Sequence, residues 1–151
     1  MAKATLGAGC FWGIEAFFSR ISGVSNLSVG YAGGHVDDPS YEAVCSGTTG
    51  HAEVVDFNFD TAILSWEDVL DHFWNCHDPT QHNWQGPDVG TQYRSVIFAH
   101  DSDQMNRAET SKHKLQKLIK PKTVATAIEP FRNYWKAEAY HQAYLIKRAH
   151  R

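Results

Sequence analysis

Gly7-Ala8-Gly9-Cys10-Phe11-Trp12-Gly13 joins a short strand-like run, Ala4-Thr5-Leu6, to a segment in which Ile14, Phe17, Phe18 and Ile21 recur at helical spacing. The stretch reads as a glycine-rich turn between a strand and a helix, with Cys10 at the helix start. Free backbone N–H groups and the positive end of the helix dipole point at such a position. They favour a thiolate, the reactive form of cysteine, over a thiol. Phe11 and Trp12 would give the sulfur an aromatic wall. A cysteine merely buried in a strand–helix turn fits the position as well, because free Cys is among the most buried residue types.

Outward from this turn, the spacing predicts a helix over residues 11–20 and a loosely alternating strand over 24–31. Ala32-Gly33-Gly34-His35 is flexible, and Asp37-Asp38-Pro39-Ser40 is turn chemistry. Residues 41–45 read as a short helical turn. The clearest strand covers 51–60, with Val55, Phe57 and Phe59 on one face and Asp56, Asn58 and Asp60 on the other. Glu53 falls on the apolar face. A carboxyl group there loses solvation and its pKa rises, which makes it a candidate proton donor near neutral pH. A strand that began one residue later would instead leave Glu53 in water.

Ser65 caps a helix with Asp68 as its capping-box partner, and Trp66, Val69, Leu70, Phe73 and Trp74 form its buried stripe. Cys76, at the edge of that stripe, reads as a packed thiol. A long loop over 77–90 follows, of a length that is usually functional. A strand over 93–99, a long helix capped by Asp101 or Ser102 and running to about residue 120, and a strand over 123–128 come next. Residues 131–151 form an aromatic, basic tail with helical character around 138–148. The 151 residues suit one domain, 1–151. Strands and helices mix without strict alternation, so the expected fold is α+β, a two-layer sandwich with a mixed central sheet.

A formal net charge of −3 offers no basic field for nucleic acid or a membrane surface. No apolar run approaches the length of a membrane span, and the first residues lead straight into a strand without a signal segment. Three scattered cysteines, Cys10, Cys45 and Cys76, argue for a reducing compartment and a cytoplasmic protein. Among nine histidines the close sets are His72, His77 and His82, with His51 beside Glu53, and their spacing matches no metal-ligand pattern. A Cys–His hydrolase would need His51 or His141 to take the Cys10 proton; nothing in the spacing selects either. Cys10, Glu53 and the tyrosines together suggest another chemistry. A thiolate attacks sulfur, and an acid protonates the departing oxygen.

Five motifs in order then resemble the A-type peptide methionine sulfoxide reductases over nearly the whole chain. They are Gly9-Cys10-Phe11-Trp12-Gly13, Gly30-Tyr31-Ala32-Gly33-Gly34, Thr49-Gly50-His51-Ala52-Glu53-Val54-Val55, His77-Asp78-Pro79-Thr80-Gln81 and the run from Gly86-Pro87-Asp88 to Tyr93-Arg94-Ser95. The resemblance implies a ferredoxin-like core. It also implies that Cys10 is the nucleophile that becomes a sulfenic acid, that Glu53 protonates the sulfoxide oxygen, and that Tyr41 and Tyr93 hydrogen-bond it. Phe11 and Trp12 would hold the methyl group, and Asp88 the substrate backbone. The implied substrate is the S epimer of methionine sulfoxide, free or in proteins, with no metal or bound cofactor; a monomer is expected. A binding module for oxidised methionine would need neither an acidic Glu53 nor a reactive Cys10.

One departure concerns recycling. Many members resemble each other in a tail that carries a resolving cysteine, and here no cysteine follows Cys76. Thioredoxin, glutaredoxin or glutathione acting directly on the sulfenic acid is the expected route. Cys45, close in sequence to Tyr41 and Glu53, is the internal alternative, followed by Cys76.

Overall fold

The computed structural model describes residues 1–149; the last two residues of the expected tail, 150 and 151, lie outside the described residues. Strands β1 (Ala2–Ala8), β2 (Val24–Ala32), β3 (Ala52–Phe59), β6 (Ser95–Ala99), β7 (Ala127–Pro130) and β8 (Tyr134–Lys136) form one sheet in the order β7-β6-β1-β3-β2-β8. The pairs are antiparallel except β6–β7, so the sheet is mixed. Helices α1 (Phe11–Phe18), α2 (Tyr41–Cys45), α3 (Trp66–Asn75), α4 (Ser102–Ile119) and α5 (Tyr144–Ala149) complete an α+β fold. Among the described residues no helix is long and apolar enough to cross a membrane.

Local chemistry fixes the helix starts. Ser65 Oγ accepts from the Asp68 N–H and the Asp68 carboxylate accepts from the Ser65 N–H, each at 3.0 Å, which closes the capping box on α3. Asp101 caps α4 by accepting from the Gln104 N–H at 2.7 Å. The main core lies between α1, α3 and one sheet face: Ile14, Phe18, Val69, Leu70 and Phe73 meet Leu6, Val55, Phe57, Phe59 and Ile97.

Several boundaries differ from expectation. α1 stops at Phe18, because the chain turns through Ser19, whose hydroxyl donates to the Ala16 carbonyl at 2.7 Å. The strand expected at 93 begins at Ser95, after a tight 3-10 turn over Thr91–Tyr93. The strand expected over 123–128 is displaced to Ala127–Pro130. Val124 and Ala125 give their N–H groups to Gln116 Oε1 and to the Pro79 carbonyl, so pairing with β6 begins only at Ala127. The loop over 77–90 contains a two-stranded hairpin, β4 (Trp84–Gln85) with β5 (Asp88–Val89), and the tail adds strand β8 to the edge of β2.

The alternation in β3 is also not what solvation would give. Asp56 is buried, accepting from Thr5 Oγ1 at 2.7 Å and pairing with Lys3 at 2.9 Å. Around it Val54, Val96 and Phe98 form a second, smaller cluster under Phe131 and Tyr134. The tail crosses the sheet face that alternation alone assigns to water.

Candidate active site

β1 runs antiparallel to β3 and β6, so its C-terminal end meets the N-terminal ends of both. That end of the sheet carries Cys10 just past β1, Glu53 in β3 and Tyr93 just before β6. Glu53 shares the face of Val55, Phe57 and Phe59 and is 1% exposed. Its Oε1 accepts from the Phe11 N–H at 3.2 Å, while Oε2 is buried with no hydrogen-bond partner among the described residues. Burial pushes the carboxyl up to about 7; the Asp88 charge adds to the rise and the Phe11 N–H opposes it. A buried, unpartnered carboxyl oxygen is costly, and an incoming polar substrate atom would satisfy it.

Cys10 is the N-cap residue of α1 and is half-buried. The expected low pKa is overturned. Burial pushes the thiol up to about 11, with the carboxylates of Glu53 and Asp88 adding to the rise. The helix start acts in the expected direction, through the N–H groups of Trp12 and Gly13, but desolvation outweighs it. The resting site therefore holds a thiol.

Tyr93 is raised to about 12, first by burial and then by the charges that Glu53, Cys45, Asp88 and Cys10 carry once ionised. Tyr41 is raised by burial and by a hydrogen bond with the Cys45 thiol. Both phenols keep their protons at neutral pH and remain donors. Phe11 lies underneath the site, fully buried, with its ring 5.8 Å from that of Tyr31. Trp12 is the half-exposed wall. Its indole stacks on Tyr144 at 3.9 Å and its N–H donates to His141 Nδ1 at 3.0 Å.

The tail supplies half of this surround, which the sequence did not reveal. Glu138 accepts from the Tyr31 hydroxyl at 2.9 Å and from the Tyr41 N–H at 3.0 Å, and His141 packs its ring 4.5 Å from Tyr41. Glu15, buried in α1, accepts from the Ala143 N–H at 2.7 Å and latches the tail down. The aromatic composition of the tail was the one available signal for these residues.

The other histidines and cysteines are engaged elsewhere. His51 Nδ1 accepts from the Gly34 N–H and its Nε2 meets the Val36 carbonyl at 2.7 Å, so its ring braces a loop. With His141 facing Trp12, neither histidine bonds the Cys10 thiol, and a Cys–His hydrolase lacks its base. His77 bridges the Phe73 carbonyl and Ser95 Oγ, His72 lies edge-on to Phe17, and His82 meets Asn83. Among the described residues no group of three or more His, Cys, Asp or Glu side chains could hold a metal ion. Cys76 donates to the Phe73 carbonyl at 3.1 Å and is pushed up to about 12 by burial, whereas Cys45 is exposed.

The peptide methionine sulfoxide reductase family model matches residues 2–151. The chain belongs to the peptide methionine sulfoxide reductase family. A relative in this family, the peptide methionine sulfoxide reductase MsrA of Methanothermobacter thermautotrophicus, is 51% identical over 150 residues, which cover 99% of this chain and 89% of the relative. Among solved structures, Mxr1 from Saccharomyces cerevisiae in reduced form matches with a TM-score of 0.92 at 38% identity, covering 97% of this chain and 85% of that one. Mxr1 in complex with Trx2 matches with a TM-score of 0.67 at 26% identity, over 94% of this chain and 83% of that one.

Proposed function

We propose that residues 1–151 act as a single catalytic domain that reduces the S epimer of methionine sulfoxide, free or in proteins, with thiols as the electron source. The observation that carries this reading is the Glu53 carboxyl, buried beside Cys10 with one oxygen unpartnered and a pKa near 7. The Cys10 sulfur, as thiolate, attacks the sulfoxide sulfur. Oxygen passes to Cys10 and methionine leaves, so the thiol becomes a sulfenic acid and the sulfoxide a thioether. Glu53 delivers the proton the oxygen needs, and the hydroxyls of Tyr41 and Tyr93 hold that oxygen. Trp12 and Phe11 receive the methyl group, and Asp88 receives the substrate backbone. The chemistry calls for no metal and no bound cofactor.

An external thiol then condenses with the sulfenic acid, releasing water and leaving a mixed disulfide, and a second thiol restores Cys10. Thioredoxin, glutaredoxin or glutathione supplies these thiols; the complex of the yeast relative with Trx2 supports the first of them. Cys45, exposed and beside the Tyr41 hydroxyl, is the internal alternative. The setting is repair of oxidised proteins by a cytoplasmic monomer. The order β6-β1-β3-β2 of the inner strands, with α1 and α3 as connections, supports a ferredoxin-like two-layer core. Incubation with each sulfoxide epimer and dithiothreitol tests the reading: methionine should form from the S epimer and not from the R epimer, and none from either would overturn it.

A further inference from the structure

The β4–β5 hairpin leans on the nucleophile turn through one side chain. Gln85 Oε1 accepts from the Asp78 N–H at 2.9 Å, and its Nε2 donates to the Asp78 carbonyl at 2.8 Å. The amide thus imitates a backbone pair across segment 78–85. Its aliphatic stem lies against Gly9, where a Cβ would fall 2.8 Å from Gln85 Cγ. Gly9, at φ +94°, immediately precedes Cys10. Within the hairpin Gln85 is paired with Asp88, and adjacent positions of a strand face opposite ways. Gln85 and Asp88 therefore share the face turned to the site, while Trp84 and Val89 are exposed on the other. A second amide braces the bend, with Gln81 Oε1 accepting from the Gly86 N–H at 2.8 Å.

Resting on the reductase reading of this site, we propose that Gln85 is a positioning residue that fixes Asp88, and the loop carrying it, relative to the Cys10 sulfur. A side chain held at its amide and pressed along its stem has one available position. Asp88 is its hairpin partner, so the Asp88 carboxylate inherits that position. Two charged groups act on Cys10 from the surrounding elements, Glu53 from β3 and Asp88 from β5. Of these, Asp88 alone depends on the hairpin for its place. Releasing the hairpin moves an anion away from the sulfur and admits water, and both changes favour the thiolate. The same release loosens the surface against which substrate must be aligned.

The test is alkylation of reduced protein by iodoacetamide across pH, read on the Cys10 peptide by mass spectrometry, beside single-turnover reduction of S-methionine sulfoxide. In Gln85→Ala the alkylation midpoint should fall by about half a unit to one unit, while reduction slows about 10-fold to 100-fold. In an Asp88→Asn background the Gln85→Ala shift should shrink. Gln85→Met keeps the stem on Gly9 but loses both bonds to Asp78; it should give an intermediate midpoint and serves if the alanine variant does not fold. An unchanged midpoint and rate would overturn the proposal, and so would a full-sized shift in the Asp88→Asn background. Alkylation needs no sulfoxide. If the wild-type protein reduced none, the function would be wrong while the midpoints still decided the role of Gln85.

Discussion

The backbone N–H of Phe11 donates to Glu53 Oε1 at 3.2 Å, tying the buried carboxyl to the residue next to Cys10. One link thereby joins the first turn of α1 to strand β3. It leaves Oε2 without a partner among the described residues, the oxygen that exchanges a proton with substrate in the proposed mechanism. The two groups also share their titration. Glu53 titrates near 7 and Cys10 near 11, so between these values the pair holds one proton. A neutral thiol beside a carboxylate has the same composition as a thiolate beside a carboxylic acid.

That single proton sets the pH dependence. On the proposed mechanism sulfoxide reduction needs the thiolate and the protonated carboxyl, which together carry one proton. Below about 7 the pair carries two, and the thiolate is suppressed. Single-turnover kcat/KM should therefore rise through pH 7 and level off. Glu53→Gln should remove this break and lower the rate by about 10²–10⁴. A rate that fell as pH rose through 7 would contradict the account.

Glu53 should also cost stability. Its folded-state pKa, about 7, lies above the ordinary 4.5, so the folded protein holds a proton that the unfolded chain has released. The cost is absent below 4.5 and grows to its full size as pH rises through 7. At pH 8 Glu53→Gln should be more stable than wild type by roughly 3 kcal/mol, and by pH 4 the difference should close. Urea denaturation at the two pH values checks it; equal stability at pH 8 would mean that the carboxylate is solvated.

Gly9→Ala should damage the site rather than the core. The residue holds φ +94°, and its new Cβ would press on the Gln85 stem. A cost of about 1–2 kcal/mol in unfolding free energy is expected from the backbone conformation. A loss of reduction larger than that cost explains would follow from displacing Cys10. Full activity would mean that the turn relaxes freely.

Tyr144→Ala should raise KM more than it lowers kcat. Tyr144 stacks on the Trp12 indole at 3.9 Å, and an aromatic pair contributes about 0.5–1.5 kcal/mol. Loss of the stack should weaken substrate binding roughly 2-fold to 12-fold. Steady-state kinetics separates the two constants, and an unaltered KM would show that Trp12 is held by His141 alone.

Local signals carried much of this architecture. The capping box at Ser65, the alternation of Val55, Phe57 and Phe59 and the Cys10 turn all declare themselves within a few residues. Glu53 was legible because a carboxylate on an apolar face is anomalous. The rest depended on distant partners. Glu138 serves Tyr31 and Tyr41 from about a hundred residues away, and Gln85 reaches Gly9 only once the loop over 77–90 folds into a hairpin. The thiol pKa was misjudged for a similar reason. A helix start is visible in sequence, whereas the burial that outweighs it, and the Glu53 and Asp88 charges that add to it, arise only once the chain is folded.

The most direct measurement is a single turnover of fully reduced protein with S-methionine sulfoxide and no added reductant, counting methionine formed and thiols lost per chain. The account predicts one methionine and one thiol lost, with dimedone labelling Cys10 as a sulfenic acid. One methionine with two thiols lost would transfer the recycling step to Cys45. No methionine, or undiminished turnover in Cys10→Ser, would contradict the assignment of Cys10 as the atom that takes the oxygen.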